Sequence, residues 1–255
     1  MTMIKVSAVS YLNTKPMLYG IFNHPVYEHI DLSLDVPSIC AEKFIHNKVD
    51  MALMPVGALH GLEDYDIVSD YCIGTDGDVR TVCLYSDVPM EEIETVFLDF
   101  DSKTSVLLAQ YLLKHYWKKD VIYLPGPEGF ESKISGRAAG LIIGDKALDQ
   151  ELRSPYIYDL GRAWKEMHDL PFVFAVWVSK SHLNPTFISD FNDAQARGIS
   201  RIDQLVQLMA NTRKHFDLDE YYTKNISYVL NKDKRKALDL FLSLTRHTID
   251  STTTN

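Results

Sequence analysis

Apolar and polar positions follow two rhythms along the chain. Short runs rich in β-branched and aromatic residues recur: IKVSAV (4–9), DLSLDV (31–36), DMALMPV (50–56), TVCLYS (81–86), TVFLDF (95–100), DVIYL (120–124), AGLIIGD (139–145), YIYDL (156–160) and PFVFAVWVS (171–179). Their length and content predict strands. Helical stretches lie between them. PSICAEKFIHNK (37–48) opens on Pro and Ser, a helix start. SKTSVLLAQYLLKHYWKK (102–119) combines a Ser/Thr-rich start, apolar residues three to four apart and lysines in its last turn. Strands alternating with helices predict an α/β architecture with mainly parallel sheets.

The rhythm changes after about Ser181. Residues 189–213 and 232–247 are helical and amphipathic, and no strand is expected there. KDKRK (232–236) reads as the solvated face of a helix, and DSTTTN (250–255) as a frayed end. RTVCLYS and PFVFAVWVS are long extended runs suited to leaving one sheet and entering another. Such a pair would give two lobes joined by two crossings, with a cleft between.

Composition narrows the classes. A chain of 255 residues with 46% hydrophobic content supports one large domain or two small ones. A formal net charge of −9 argues against a nucleic-acid or anionic-membrane partner. Small anions remain open, because helix N-termini and single arginines bind carboxylates locally. No apolar run approaches the ~20 residues that span a bilayer. The N-terminal residues lack a signal-peptide pattern. The 3 cysteines are far apart with no CxxC, and read as reduced core thiols of a cytoplasmic protein.

Four segments carry candidate chemistry. SYLNTKP (10–16) follows the first strand, where open sheets bind ligands beyond strand carboxyl ends. Asn13 offers donors and an acceptor, Ser10 and Thr14 hydroxyls. Asn13 or Thr14 capping a helix, with Pro16 in its first turn, is the plainer role, and both can hold together. DSKTSVLL (101–108) is a helix start crowded with Asp101, Ser102, Thr104 and Ser105, suited to a carboxylate or simply to capping. In AGLIIGDKAL (139–148) Gly136 and Gly140 precede the strand, so no dinucleotide fingerprint is present. Gly144 then allows close backbone approach and Asp145 caps the next helix. GTDGDVRTVCLYS (74–86) reads as a turn, with Arg80 and Thr81 at a strand entrance. The 9 histidines form no HExxH or Cys/His cluster, and neither GxSxG nor a P-loop occurs.

Taken in order, VSYLNTKPMLYGI, DMALMPVGAL, DGDVRTVCLYS, DSKTSVLLAQYLL, GLIIGDKAL, YDLGRAWKEMHDLPFVFAVW and ISYVLNKD resemble the chorismate dehydratase family of the futalosine route to menaquinone. The resemblance spans about residues 4 to 245. It implies a two-lobed fold like the type 2 periplasmic binding proteins, with residues 1–86 plus 181–255 as one lobe and 87–180 as the other. It implies a hydro-lyase that converts chorismate to 3-[(1-carboxyvinyl)oxy]benzoate without a cofactor, inside the cell, as a monomer or homodimer.

The same resemblance carries Asn13 and Thr81 as catalytic residues. Thr81 stands where many family members have Ser. Ser10, Thr14, Pro55, Val56, Arg80, Thr104, Ser105, Gly144 and Asp145 become substrate-binding candidates. Lys103 stands where the family has Arg, which removes a bidentate carboxylate clamp. No motif presents a base with an obvious partner, so the substrate's enolpyruvyl carboxylate is the expected proton acceptor. Two alternatives remain. A 1,4-dihydroxy-6-naphthoate synthase-like enzyme is expected to carry a histidine in the first loop, and SYLNTKP has none. A solute-binding protein is expected to carry an export signal.

Overall fold

The computed structural model describes residues 3–180, 182–210, 212 and 215–250. The chain begins with β1 (Ile4–Val9), α1 (Lys15–Phe22), β2 (Ile30–Asp35), α2 (Pro37–Ile45), β3 (Met51–Pro55) and β4 (Asp66–Thr75). The middle comprises β5 (Val82–Ser86), β6 (Thr95–Leu98), α3 (Lys103–His115), β7 (Ile122–Pro125), β8 (Ala138–Ile143), α4 (Lys146–Glu151), β9 (Tyr156–Asp159) and α5 (Leu160–His168). The return consists of β10 (Phe172–Ser179), α6 (Pro185–Ile199), α7 (Ile202–Met209), α8 (Leu218–Glu220), β11 (Ser227–Val229) and α9 (Lys232–Asp250).

Two sheets result. One has 6 strands in the order β11-β4-β10-β3-β1-β2, and the other has 5 in the order β7-β6-β8-β5-β9. Each lobe is built on one sheet. The expectation of mainly parallel sheets is corrected to mixed ones. β1 runs parallel to β2 and β3, and β6 parallel to β7 and β8. β10 runs antiparallel to β3 and β4, and β5 antiparallel to β8 and β9. β5 and β10, which follow the two crossings, are antiparallel to both neighbours, and reversal is how the chain enters each sheet without a helical crossover; the short β11 also runs antiparallel to β4.

Only the first residues of the long runs, Arg80, Thr81 and Pro171, lie in the crossings. All of β5 lies in the five-stranded sheet and all of β10 in the six-stranded one, and both are buried throughout. The crossings are residues 76–81, between β4 and β5, and 160–171, which include α5. The expected lobe boundaries at 86/87 and 180/181 lie at or just past the ends of β5 and β10.

Two strands escaped the sequence reading. β4 carries Asp66, Ser69, Asp70 and Gly74, residues that weaken a strand pattern. It forms because β10 and β11 flank it on both edges. β11 is short and is held by Lys234, whose ammonium donates to the Ser227 and Val229 carbonyls at 2.6 and 2.8 Å. The solvated reading of KDKRK therefore fails at Lys234, which is only 1% exposed. Burial lowers its pKa.

The first loop is fixed from behind by close helix packing. A Cβ at Gly20 of α1 would meet the Ala194 carbonyl oxygen at 1.9 Å, so only glycine lets α1 lie on α6 this tightly. Cys40, Cys72 and Cys83 are all buried and unbridged, as core thiols. Burial pushes the thiols of Cys40 and Cys72 up to about 11. Residues 251–255 of the expected frayed end lie outside the described residues, as does the expected boundary residue Ser181.

Candidate functional site

A cleft with about 460 Å³ of empty space opens between the sheets, beyond the carboxyl ends of β1, β3 and β8. The first lobe supplies Val9, Tyr11 and Asn13 from the end of β1 and its loop, Pro37 from the start of α2, and Pro55 from the end of β3. Ile73 of β4 and Phe174 and Ala175 of β10 complete that wall. Val79, Thr81 and Val82 come from the first crossing and the start of β5. The second lobe adds Ser102 and Ser105 at the start of α3, and Ile143 and Gly144 at the end of β8. None of these lining residues is Asp, Glu, His, Lys or Arg.

The polar groups are arranged as donors. Thr14 donates its hydroxyl to Asn13 Oδ1 at 3.1 Å, which leaves the Asn13 Nδ2 hydrogens for another partner. Ser102 caps α3 by accepting from the Ser105 N–H at 3.4 Å and also accepts from the Ser105 hydroxyl at 3.1 Å. Two bonds accepted leave the Ser102 proton for a further acceptor. The free N–H groups and positive dipole end of α3 sit at the same place, a natural seat for a carboxylate.

Tyr11 adds a phenol. Burial first, then the charges of Asp101, Asp99 and Asp145, push its pKa well above the usual value, so it stays protonated. Its ring lies against Gly144, where a Cβ would come within 2.8 Å of two ring carbons. Gly144 has φ +66°, in the left-handed region. The glycine both turns the chain and admits the ring.

The lobes are bolted together beside the cleft. The Leu12 N–H donates to Asp145 Oδ1 at 3.0 Å. Thr104 of α3 accepts from the Gly57 N–H and donates to the Phe174 carbonyl, both at 3.0 Å.

Of the expected site residues, Asn13, Thr81, Pro55, Ser105 and Gly144 meet at the cleft. Thr14 is fully buried and serves Asn13 rather than the cleft. Val56 is fully buried in the core. Ser10 is half-buried, and its N–H is taken by the Asp35 carbonyl at 2.9 Å. Thr104 is consumed by its two interlobe bonds. Asp145 does not cap α4 with its side chain; it reaches across to Leu12. Arg80 points to the opposite side, where it pairs with Glu151 at 2.8 Å and lies 4.7 Å from the Phe216 ring centre.

That opposite side holds a wider hollow, about 950 Å³ of empty space. Its charges satisfy one another. Arg162 pairs with Asp78, and Asp159 accepts N–H bonds from Val79, Arg80, Gly161 and Arg162. The arrangement anchors the crossing.

Tyr11 and Ser102 are the polar cleft residues that the site expectation omitted. Tyr11 adjoins Asn13 in the YLN element, and Ser102 carries an N-cap signal, so both were within reach. Ile73, Val79, Val82, Ile143, Phe174 and Ala175 gave no signal, because apolar strand residues at a cleft read like core. Among the described residues, no group of three or more His, Cys, Asp or Glu could hold a metal ion. No described helix is long and apolar enough to cross a membrane.

Comparison with known structures supports the architecture. A protein from Archaeoglobus fulgidus aligns with TM-score 0.74 and 13% identity over 96% of this chain and 97% of its own. The periplasmic aliphatic sulphonate binding protein SsuA from Escherichia coli aligns with TM-score 0.61 and 13% identity over 99% and 94%. A Candida albicans gene product with the generic periplasmic binding protein fold aligns with TM-score 0.60 and 12% identity over 100% and 91%. These likenesses establish the periplasmic-binding-protein fold.

Sequence comparison goes further. The chorismate dehydratase of Thermus thermophilus is 26% identical over 200 residues, covering 69% of this chain and 71% of that protein. The sequence model of the family described as "Menaquinone biosynthesis" matches residues 4–247. The chain belongs to this menaquinone biosynthesis family.

Proposed function

We propose that the protein is a chorismate dehydratase, a hydro-lyase that converts chorismate to 3-[(1-carboxyvinyl)oxy]benzoate and water. The observation that carries this reading is the character of the cleft: apolar walls, neutral hydrogen-bond donors and no carboxylate, imidazole or amine among the lining side chains. Such a site suits a reaction whose base and driving force reside in the substrate.

The elimination balances without a protein base. The enolpyruvyl carboxylate takes the C3 proton, and the C3–H electrons enter the ring. They spread toward the ring carboxylate, then form the C3–C4 double bond as the C4–O bond breaks. The departing hydroxide recovers the proton and leaves as water. Aromatisation drives the last step.

The protein's work is to orient and to stabilise. Holding the side chain over C3 is worth up to roughly 7–11 kcal/mol of barrier. Ser102 and the start of α3 hold one carboxylate through neutral donors. The Asn13 amide and the Thr81 hydroxyl face the departing hydroxyl and the charge that builds before it leaves. The apolar walls exclude water and strengthen each of these bonds. Asp99, Asp101 and Asp145 surround Tyr11 electrostatically and do not line the cleft. The enzyme acts in the cytoplasm as a monomer or homodimer, and no cofactor takes part.

The test is incubation of purified protein with chorismate, followed by mass and absorbance. Loss of one water with appearance of the aromatic ether is expected. Unchanged chorismate, with tight retention of another solute, would instead favour a binding protein.

A further inference from the structure

Residues 216–225 grip the first crossing from the first lobe. The Arg80 guanidinium lies over the Phe216 ring, 4.7 Å from its centre. Asn225 Nδ2 donates to the Asp78 carbonyl at 3.0 Å. The Tyr221 hydroxyl lies 2.9 Å from Thr81 Oγ1. Tyr221 and Asn225 begin and end a single turn of π-helix, Tyr221–Asn225. Such turns are rare and are found frequently at functional sites.

The direction of the Tyr221–Thr81 bond follows from a third atom. Thr81 Oγ1 also lies 3.4 Å from the Val79 carbonyl oxygen, which can only accept. With the Thr81 proton turned toward Val79, the Tyr221 O–H is the donor to Thr81. Burial holds the Tyr221 phenol well above its usual pKa, so it remains a donor. The bond to Val79 is long for an O–H donor. Thr81 lines the cleft, where a substrate oxygen offers its proton a better-placed acceptor. A hydroxyl that accepts one bond is polarised to donate the next more strongly.

We infer that Tyr221 is a positioning residue that fixes the Thr81 hydroxyl as a donor toward the substrate. The inference rests on the chorismate dehydratase reading for its substrate and on the geometry alone for the positioning. Tyr221 touches no part of the cleft. It acts through Thr81, and the π-turn supplies the reach.

The experiment combines steady-state kinetics with crystallography. Tyr221→Phe removes one oxygen and keeps the ring packed against Phe216. In kinetics with chorismate it should lower kcat about tenfold, the size of one neutral hydrogen bond realised in the transition state, with KM changed less than about twofold. In a Thr81→Ala background the same substitution should cost nothing further, whereas in Thr81→Ser the tenfold effect should persist. An equal loss in the Thr81→Ala background, or an unchanged kcat in the single variant, would overturn the inference. A crystal structure of Tyr221→Phe separates the two readings. Thr81 should leave its wild-type rotamer or split between rotamers, and a single unchanged rotamer refutes the positioning whatever the substrate. Inactive wild-type protein with a released Thr81 in the variant would sink the dehydratase reading and leave the positioning standing.

Discussion

The Thr104 hydroxyl donates to the Phe174 carbonyl at 3.0 Å while accepting from the Gly57 N–H at the same distance. One fully buried side chain of α3 thus satisfies two backbone groups of the other lobe. Thr104→Val keeps the shape and strands both groups away from water. Each unmet buried group costs about 1–3 kcal/mol, so the melting temperature should fall by roughly 4 °C or more. Thr104→Ser should recover most of it. Thermal unfolding followed by circular dichroism decides this, and a Val variant as stable as wild type would remove the interlobe bolt from the account.

Gly144 makes a second prediction. Its φ of +66° disfavours any side chain, and a Cβ would fall 2.8 Å from Tyr11. Gly144→Ala should cost about 1–2 kcal/mol from the backbone alone. It should also displace the Tyr11 ring from the cleft wall and so raise KM for chorismate. Normal KM in Gly144→Ala would mean that the ring does not shape the site.

Salt dependence separates neutral donors from a cationic clamp. The lining residues include no Lys or Arg, and the chain carries a net charge of −9. A dianionic substrate approaches against this field, and salt screens the repulsion. Raising ionic strength from about 0.05 to about 0.5 M should leave KM unchanged or lower it. A KM that climbs steeply with salt would point to cationic residues engaged with the substrate.

Much of this was legible in the sequence, for identifiable reasons. TVCLYS and PFVFAVWVS became strands that bury every side chain, and IKVSAV one that buries its last four, so composition and outcome agree. β4 was not legible, because its Asp and Gly residues are tolerated only between two partner strands. In the site, Asn13 and Ser105 stood out because loops and helix starts expose polar groups. Thr104 and Asp145 had the same signature but were spent on joining the lobes, a pairing across 47 and 133 residues that no local pattern encodes. Arg80 looked like a ligand contact, and Glu151 and Phe216 took it away from the cleft.

Asp35 gives a pH-dependent test next to the first loop. Burial works to raise its pKa, but hydrogen bonds from Lys43, Ser33 and Ser7 outweigh it and leave the carboxyl below the usual value. A depressed folded pKa gives stability that is fully present above the unfolded value of about 3.9 and is lost as pH falls through the folded one. Lys43→Met removes the contacts at 2.6 and 2.7 Å. Urea unfolding should therefore show a loss at neutral pH that shrinks in acid, with acid unfolding beginning at a higher pH than in wild type. A loss independent of pH would assign Lys43 a packing role only.

The account's central claim is that the substrate supplies its own base in a cleft of neutral donors. Its most direct test is to compare turnover of chorismate with that of chorismate esterified at the enolpyruvyl carboxylate, measured by product mass under single-turnover conditions. The account predicts that chorismate is dehydrated while the ester binds and is returned unchanged. Dehydration of the ester at a rate comparable to chorismate would place the base on the protein and contradict it.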